Sequence, residues 1–441
     1  MRNVKTLDNR SPGNKPSGGV PQLRHLWRVP LYSNAFYLIA GNGLGAVLGF
    51  VFWAVAARFY STADVGLMSA AISAVVLLDS LSTLGLGTAL IRFLPRDDQK
   101  AARLINFSLS LVFVTAAVSA VIFLLGTGVW SPGLSPFRRD AGRFLVFTLL
   151  AAFTAMTVIA DGVFIARRRA SFAMGRGLLM NGLKLLLVLA FAVTARAYGI
   201  FTAWGIAQIV ALLLGLLFFL PRLVSGFRPV PNIEWRGKSE IVRYSLVNNV
   251  SSILAGLPGL LLPVVLLDHL GAEATAFFFI AWQIMSALAS VPLSISTSLF
   301  AEGCHDEKDL VSNAWRGLRL ALAILTPVVI ALLLFSAPLL RILGAGYSGH
   351  STRLLQVLSL SLFPGAVNQV YFAVLRVHKR LRVLTILNGV IAVVALAVAY
   401  LLMPGLGAMG ACIGWVTAQV LVALLVLVRY LYVRFRRNTP G

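Results

Sequence analysis

Of the 441 residues, 59% are hydrophobic and 12% are charged, against ~45–50% apolar and ~25% charged in soluble domains. That composition excludes a water-soluble globule, and at ~20 apolar residues per crossing the length accommodates about a dozen membrane spans. The net charge of +23 sits in short clusters between apolar runs, with no continuous basic face or aromatic-interleaved groove, which argues for topology signals and against nucleic acid as a partner.

The first thirty residues hold Pro12, Gly13, Pro16, Gly18, Gly19 and Pro21 without an apolar core, the composition of a disordered basic tail. Such a tail adheres to anionic lipid or simply anchors the topology. No cleavable signal peptide is expected, because the first apolar run is too long and no cleavage pattern precedes the next span. Runs of ~18 or more mostly apolar residues then predict helices near 31–57, 64–91, 104–126, 143–166, 177–195 and 199–220. Pro221 to Arg243, with Pro229, Pro231, Glu234, Trp235 and Lys238, reads as an inter-half linker lying on the cytoplasmic surface of the membrane. Six more helices follow near 244–267, 274–301, 317–340, 353–375, 383–403 and 407–428, ahead of a basic tail over 429–441. Placing both termini in the cytoplasm puts 30 Lys and Arg inside against 7 outside, with Lys184 within a span, which fits the positive-inside rule. Trp27, Tyr32, Tyr430 and Tyr432 flank the first and last spans as interfacial belt residues would.

The expected fold is all-α and polytopic, with two parallel six-helix lobes (31–220 and 244–428) around a central cleft. Tyr32-Ser33 opens one half and Tyr244-Ser245 the other; the second helix of each opens on Asp64 to Ala70 and on Ala274 to Ile280. An even helix number per half gives both halves one orientation, as in parallel repeats related by an axis along the membrane normal. Gly41, Gly45 and Gly49 recur at spacing four in the first span, a close-packing pattern. The seventh span carries a polar stripe of Ser245, Asn248, Asn249, Ser252 and Gly259, with Pro258 and Pro263 expected to break its hydrogen-bond ladder. The tenth carries Ser361, Pro364, Asn368 and Tyr371. Polar groups in hydrocarbon must be paired or face water, so these stripes predict a wet cavity between the halves or, alternatively, interhelical glue.

Ionisable residues within spans are few. Asp79 lies near mid-depth, fifteen residues after Asp64 and thirteen before Arg92. It reads as a proton or sodium coupling site, a contact to sugar hydroxyls, or a protonated structural group bonded by Ser82 and Thr83. Asp161 and Lys184 stand at comparable depths, ~9 and ~12 Å from the cytoplasmic edge, and are expected to form an ion pair unless Lys184, with Asn181 on its face, binds an anionic headgroup. Arg92 and Glu302 end the matching second and eighth helices, as an inter-half gate pair or as ordinary interfacial charge. Cys304 and Cys412 have no metal spacing, the five His residues are scattered, and no GxxxxGK[ST] run is present; no metal, cofactor or ATP-driven step is expected, and no enzyme. A glycan polymerase or transferase would need an acid, base or metal set, and the longest outer loop, Gly126 to Gly142, offers only Asp140.

The stretch GFVFWAVAARFYSTADVG from Gly49 to Gly66, followed by LSTLGLGTALIRFLP from Leu81 to Pro95, resembles the polysaccharide-biosynthesis flippase family of the multidrug/oligosaccharidyl-lipid/polysaccharide exporter superfamily. The resemblance implies flipping of an undecaprenyl-pyrophosphate-linked oligosaccharide to the outer leaflet by alternating access of two six-helix lobes, with membrane lipids as the other partner. A cation-coupled multidrug exporter of the same superfamily, using Asp79 as its ion site, is the alternative.

Overall fold

The computed structural model describes residues 30–95, 97–194, 198–234, 239–303 and 310–438; both tails' outer parts, Trp27 and Cys304 lie outside them. The first lobe is built from α1 (Pro30–Phe59), α2 (Thr62–Ser82), α3 (Leu86–Phe93), α4 (Asp98–Trp130), the short α5 (Ser135–Arg139), α6 (Ala141–Ala166), α7 (Ala170–Thr194) and α8 (Gly199–Leu214). A π turn over Gly215–Phe219 carries α8 on to Leu223. The second lobe comprises α9 (Ser239–Gly303), α10 (Leu310–Arg341), α11 (Ala345–Leu360), α12 (Leu362–Val377), α13 (Leu381–Leu406) and α14 (Ala408–Asn438). Ten of these helical runs are long and apolar enough to cross a membrane. One of the ten is α9, which turns back at Gly271 (φ 84°, ψ 177°) into two antiparallel arms, and Gly43–Phe59 adds a shorter apolar helix, giving the twelve crossings of two six-helix lobes.

The few carboxylates of the first lobe serve largely as helix starts. Ser61 Oγ accepts from Asp64 N at 3.1 Å, and Asp97 and Asp140 accept from Lys100 N and Arg143 N, both at 2.8 Å, pairing amide groups that a helix leaves orphaned. Outward-facing apolar groups such as Leu401, 74% exposed, and Val193, 82% exposed, need hydrocarbon and not water around them.

Three expectations about the spans change. The second span is not one helix: α2 stops at Ser82, Leu84 and Gly85 take left-handed conformations (φ 51° and 72°), and α3 resumes at Leu86. Hydropathy reads through this break because Leu81 to Leu90 hold no charged residue and are mostly apolar. Gly85 is required there twice over, since a Cβ would meet the Ser245 carbonyl at 2.5 Å and Asn249 Cβ at 3.0 Å. The seventh span, conversely, is continuous through Pro258 and Pro263; helix buried among neighbours absorbs a lost amide donor. The tenth span divides into α11 and α12 at Ser361.

The lobes meet along α2 and the first arm of α9. At one end of this seam Asn249 Nδ2 donates to the Ser80 carbonyl at 3.0 Å. At the other, the turn of α9 docks on two glycines: Asp268 accepts from Gly133 N at 2.8 Å, and Gly66 lies directly against the Ala272 carbonyl, where a Cβ has no room. Gly66 belongs to the second-helix opening of the first half, and Ala272 lies two residues before the matching opening of the second. After a turn at Ser225 and Gly226, Phe227 to Glu234 follows α4 without regular structure, with Asn106 Nδ2 donating to the Arg228 carbonyl at 2.9 Å and Asn232 N donating to Ser110 Oγ at 2.9 Å.

Candidate substrate site between the lobes

Two cavities flank the first arm of α9 where it faces the first lobe, sharing Gly256 and Leu260. The larger, about 340 Å³, is bounded by Trp53 of α1, Ser73 and Val76 of α2, Gly259 of the first arm, and Phe279, Trp282 and Gln283 of the second. All four walls come from different spans, two from each lobe. Trp53 meets Phe279 edge-on at 4.5 Å, and Trp282 meets Trp415 at 4.9 Å, so the rings hold one another in place. Gly259 makes space for the Trp282 indole, which a Cβ would approach to 3.1 Å. Aromatic faces with a hydroxyl and an amide, and no ionisable side chain, suit a neutral ligand that has both apolar faces and hydrogen-bonding edges, as a sugar ring has.

The smaller cavity, about 170 Å³, holds Asp79 together with Ser80, Thr83, Asn249 and Ser252. Asp79 is 8% exposed, and its Oδ1 has no hydrogen-bond partner among the described residues. The hydroxyls expected to bond it go elsewhere: Ser82 Oγ to Ser119 Oγ at 3.3 Å and Thr83 Oγ1 to the Ser80 carbonyl at 3.4 Å. Thr83 closes α2 with its amide on the Asp79 carbonyl at 2.9 Å, and the chain leaves the helix at Leu84. A buried carboxyl oxygen without a donor is costly, roughly 1–3 kcal/mol, which marks Asp79 as a group whose proton, water or ion matters.

The expected pair of Asp161 and Lys184 does not form. Asp161 instead receives both Arg176 Nε, at 2.8 Å, and Arg176 Nη2, a bidentate pairing, while Lys184 Nζ stands 4.9 Å from the Phe52 ring centroid. The reason is where α7 begins. Starting at Ala170 and not near 177, it carries Arg176 about 9 Å into the bundle and Lys184 about 21 Å, whereas Asp161 lies only about 8 Å from the end of α6. Asn181 Nδ2 donates to the Gly177 carbonyl at 2.8 Å and lines a cavity of about 470 Å³ with Asp161, Arg176, Gly41 and Gly45. Asp161, Asn181 and Arg176 are therefore brought together, away from the inter-lobe cavities, and Lys184 is not among them.

Asn249 borders the Asp79 cavity as the seventh-span stripe implied; the side chain of Asn248 lies outside the described residues. The tenth-span stripe does not face the first lobe. Asn368, 1% exposed, donates to the Gln419 carbonyl and Oε1 at 3.0 and 2.8 Å, and Trp415 Nε1 donates to Ser361 Oγ at 3.1 Å. These groups line a cavity of about 100 Å³ enclosed by α9, α12, α13 and α14, inside the second lobe. Of the gate pair, Arg92 lies 5.4 Å from the Phe93 ring centroid, and the Glu302 side chain is outside the described residues. Trp53, Trp282 and Gln283 were not singled out from sequence; Trp53 sits within the quoted Gly49 to Gly66 stretch, but nothing local marks it as a wall of a cavity.

The description "Polysaccharide biosynthesis protein" belongs to the family whose profile matches residues 31–300. The chain belongs to that family. A second profile, MatE, matches residues 259–401. A curated Shigella flexneri protein named "Putative O-antigen transporter" is 28% identical over 168 residues, 37% of this chain, and the match spans 40% of the relative's length. Among solved structures, "Lipid II flippase MurJ, inward closed conformation" aligns with TM-score 0.72 at 11% identity, covering 89% of this chain and 87% of that one. An inward-facing multidrug resistance MATE family transporter of the MOP superfamily aligns with TM-score 0.69 at 19% identity, covering 90% and 96%; at such identities the likeness bears on the fold. The chain is a multi-pass membrane protein of the polysaccharide-biosynthesis family.

Proposed function

We propose that this family member flips a polyprenyl-pyrophosphate-linked oligosaccharide to the outer leaflet of the cell membrane for cell-surface polysaccharide synthesis, its lobes giving access alternately to the two sides. The observation that carries the reading is the uncharged, aromatic-walled cavity between the lobes. A sugar head cannot cross hydrocarbon unaided, while its polyprenyl tail can stay in the bilayer; the transporter therefore has to provide a polar, ring-stacking interior for the head alone. Both termini and the 221–243 linker are then cytoplasmic, as the basic clusters dictate. A cysteine introduced by Ser239→Cys is expected to resist a membrane-impermeant maleimide in intact cells and to react after permeabilisation; labelling of intact cells reverses the topology.

A second reading, a cation-coupled multidrug exporter, draws on the unpartnered oxygen of Asp79 and on the likeness to MATE transporters. Proteoliposomes with a fluorescent lipid-linked sugar, followed by leaflet accessibility, separate the two. Flipping is expected in the wild type, with Trp282→Ala about tenfold slower from loss of ~1.5 kcal/mol of ring contact and Trp282→Phe retaining most of the rate. Export of cationic dyes without flipping sinks the flippase reading. Asp79→Asn keeps shape and hydrogen bonding while removing titration, so it is expected to abolish any dependence on a proton or sodium gradient. Wild-type rates across pH and sodium return Asp79 to a structural role.

A further inference from the structure

A cavity of about 910 Å³, larger than either inter-lobe cavity, opens at the basic end of the second lobe between the first arm of α9, the end of α12 and the start of α13. Its rim carries Arg376, Lys379 and Arg382. Charge clusters of this kind are accounted for by topology, but topology requires only that cations stand near helix ends. Here a tight turn aims three of them at one space: Lys379 N donates to the Arg376 carbonyl at 3.1 Å and Arg380 N to the Leu375 carbonyl at 2.8 Å, with Lys379 held at φ 56°. Arg376 is partly buried, and both ion pairs among the described residues lie in the first lobe, so no described carboxylate neutralises the rim. The floor is polar, with Asn388 Nδ2 donating to Ser251 Oγ at 3.1 Å, whereas Val250 and Ile386 present exposed apolar surface alongside.

Three convergent cations, two of them forked guanidiniums, match a phosphate or pyrophosphate, and an adjoining apolar wall at the membrane boundary matches a hydrocarbon chain attached to it. A soluble anion makes no use of that wall. We propose that this cavity is a loading site for the pyrophosphate head and first isoprene units of a polyprenyl-pyrophosphate lipid, a clause of inference that rests on the flippase reading for the choice of carrier. The site is separate from the inter-lobe cavity yet next to it. Ser252 and Ala255 border the loading cavity one helical turn from Gly256 and Gly259, which border the larger inter-lobe cavity, and Ser252 also borders the Asp79 cavity, so the spaces adjoin along one arm of α9.

The test uses the full-length protein in nanodiscs of neutral phosphatidylcholine with radiolabelled geranylgeranyl pyrophosphate as the probe. Saturable binding is expected, with inorganic pyrophosphate, geranylgeraniol and phosphatidylglycerol each competing at least tenfold less well. Arg376→Gln with Arg382→Gln is expected to weaken binding at least tenfold, while Arg228→Gln, an exposed arginine outside the cavity, leaves it unchanged. Should the double variant not fold, Arg382→Gln alone, at the exposed rim, is expected to weaken binding about three- to fivefold. Unchanged affinity in these variants overturns the site. Pyrophosphate competing as well as the probe overturns the lipid assignment in favour of a free anion, and phosphatidylglycerol doing so overturns it in favour of bulk anionic lipid. Binding that depends on the rim in a protein that flips no lipid-linked sugar removes the flippase reading and keeps the site; flipping that is indifferent to the rim does the reverse.

Discussion

Gly66→Val is expected to leave both lobes folded while keeping them from meeting at the end of the seam opposite the basic clusters. Gly66 is packed against the backbone of Ala272, whose Cα would stand 3.1 Å from an added Cβ and whose carbonyl oxygen would be closer still. Backbone cannot rotate away as a flexible side chain can, so the clash is relieved only by separating the lobes. An overpacking cost of about 2 kcal/mol, falling on the closed arrangement and not on either lobe, lowers its population roughly 30-fold. Better helix propensity of valine recovers only a few tenths of that. The check is a cysteine pair at Ser131 and Asp268, whose side chains approach to 3.4 Å. Oxidative crosslinking is expected to be fast with Gly66 intact and strongly slowed in the Gly66→Val background, at equal Tm; equal crosslinking rates remove the glycine contact from any part in closure.

Arg176→Gln is expected to be the most damaging single substitution of a charged group in the first lobe. It strands the Asp161 carboxylate, which the structure pairs with Arg176 and with no other cation, and stranding a buried partner costs about 3–5 kcal/mol. Because the Asp161 side chain is 30% exposed, solvent takes up part of that, and about 2–4 kcal/mol is the expected loss. Adding Asp161→Asn should recover most of it, since removing both charges leaves nothing to desolvate. Lys184→Ala, by contrast, should not reproduce the loss. Thermal unfolding of the four proteins in one detergent checks this, and a Lys184→Ala variant rescued by Asp161→Asn would restore the pairing that the depth of α7 argues against.

The number of crossings, the two parallel halves and the membrane class were legible because each rests on ~20 consecutive residues of hydropathy, a signal that survives any local error. What failed depended on single residues. The break after Ser82 is invisible to hydropathy, since Leu84 in a left-handed conformation is as apolar as Leu84 in a helix. Pro258 and Pro263 read as interruptions in a lone helix and are tolerated in one clasped by neighbours. The Asp161 partner was misjudged because depth was counted from an α7 that begins about two turns too late. The inter-lobe cavity was the least legible part, because Trp53, Ser73, Gly259 and Trp282 converge from four spans and share no period along the chain. Asp79 stands out in the sequence as a lone carboxyl within an apolar run, yet its hydrogen-bonding neighbours do not, because proximity in sequence says little at a helix end.

The first arm of α9 is hydrogen-bonded to the first lobe at two well-separated points, through Asn249 on Ser80 and through Asp268 on Gly133, and it is helical without a break between them. Nineteen residues at ~1.5 Å each make it a rod of about 28 Å. A rod held at two points behaves as a lever, and the slender stretch at Gly256 and Gly259, where it passes between the two cavities, is its natural fulcrum. Tilting it by about 10° there shifts each extremity by roughly 2.5 Å in opposite senses, enough to break a 2.8 to 3.0 Å hydrogen bond at one end while compressing the other. The two ends are thus mechanically opposed by leverage alone, with no relay of side chains needed to inform one face of the membrane about the other.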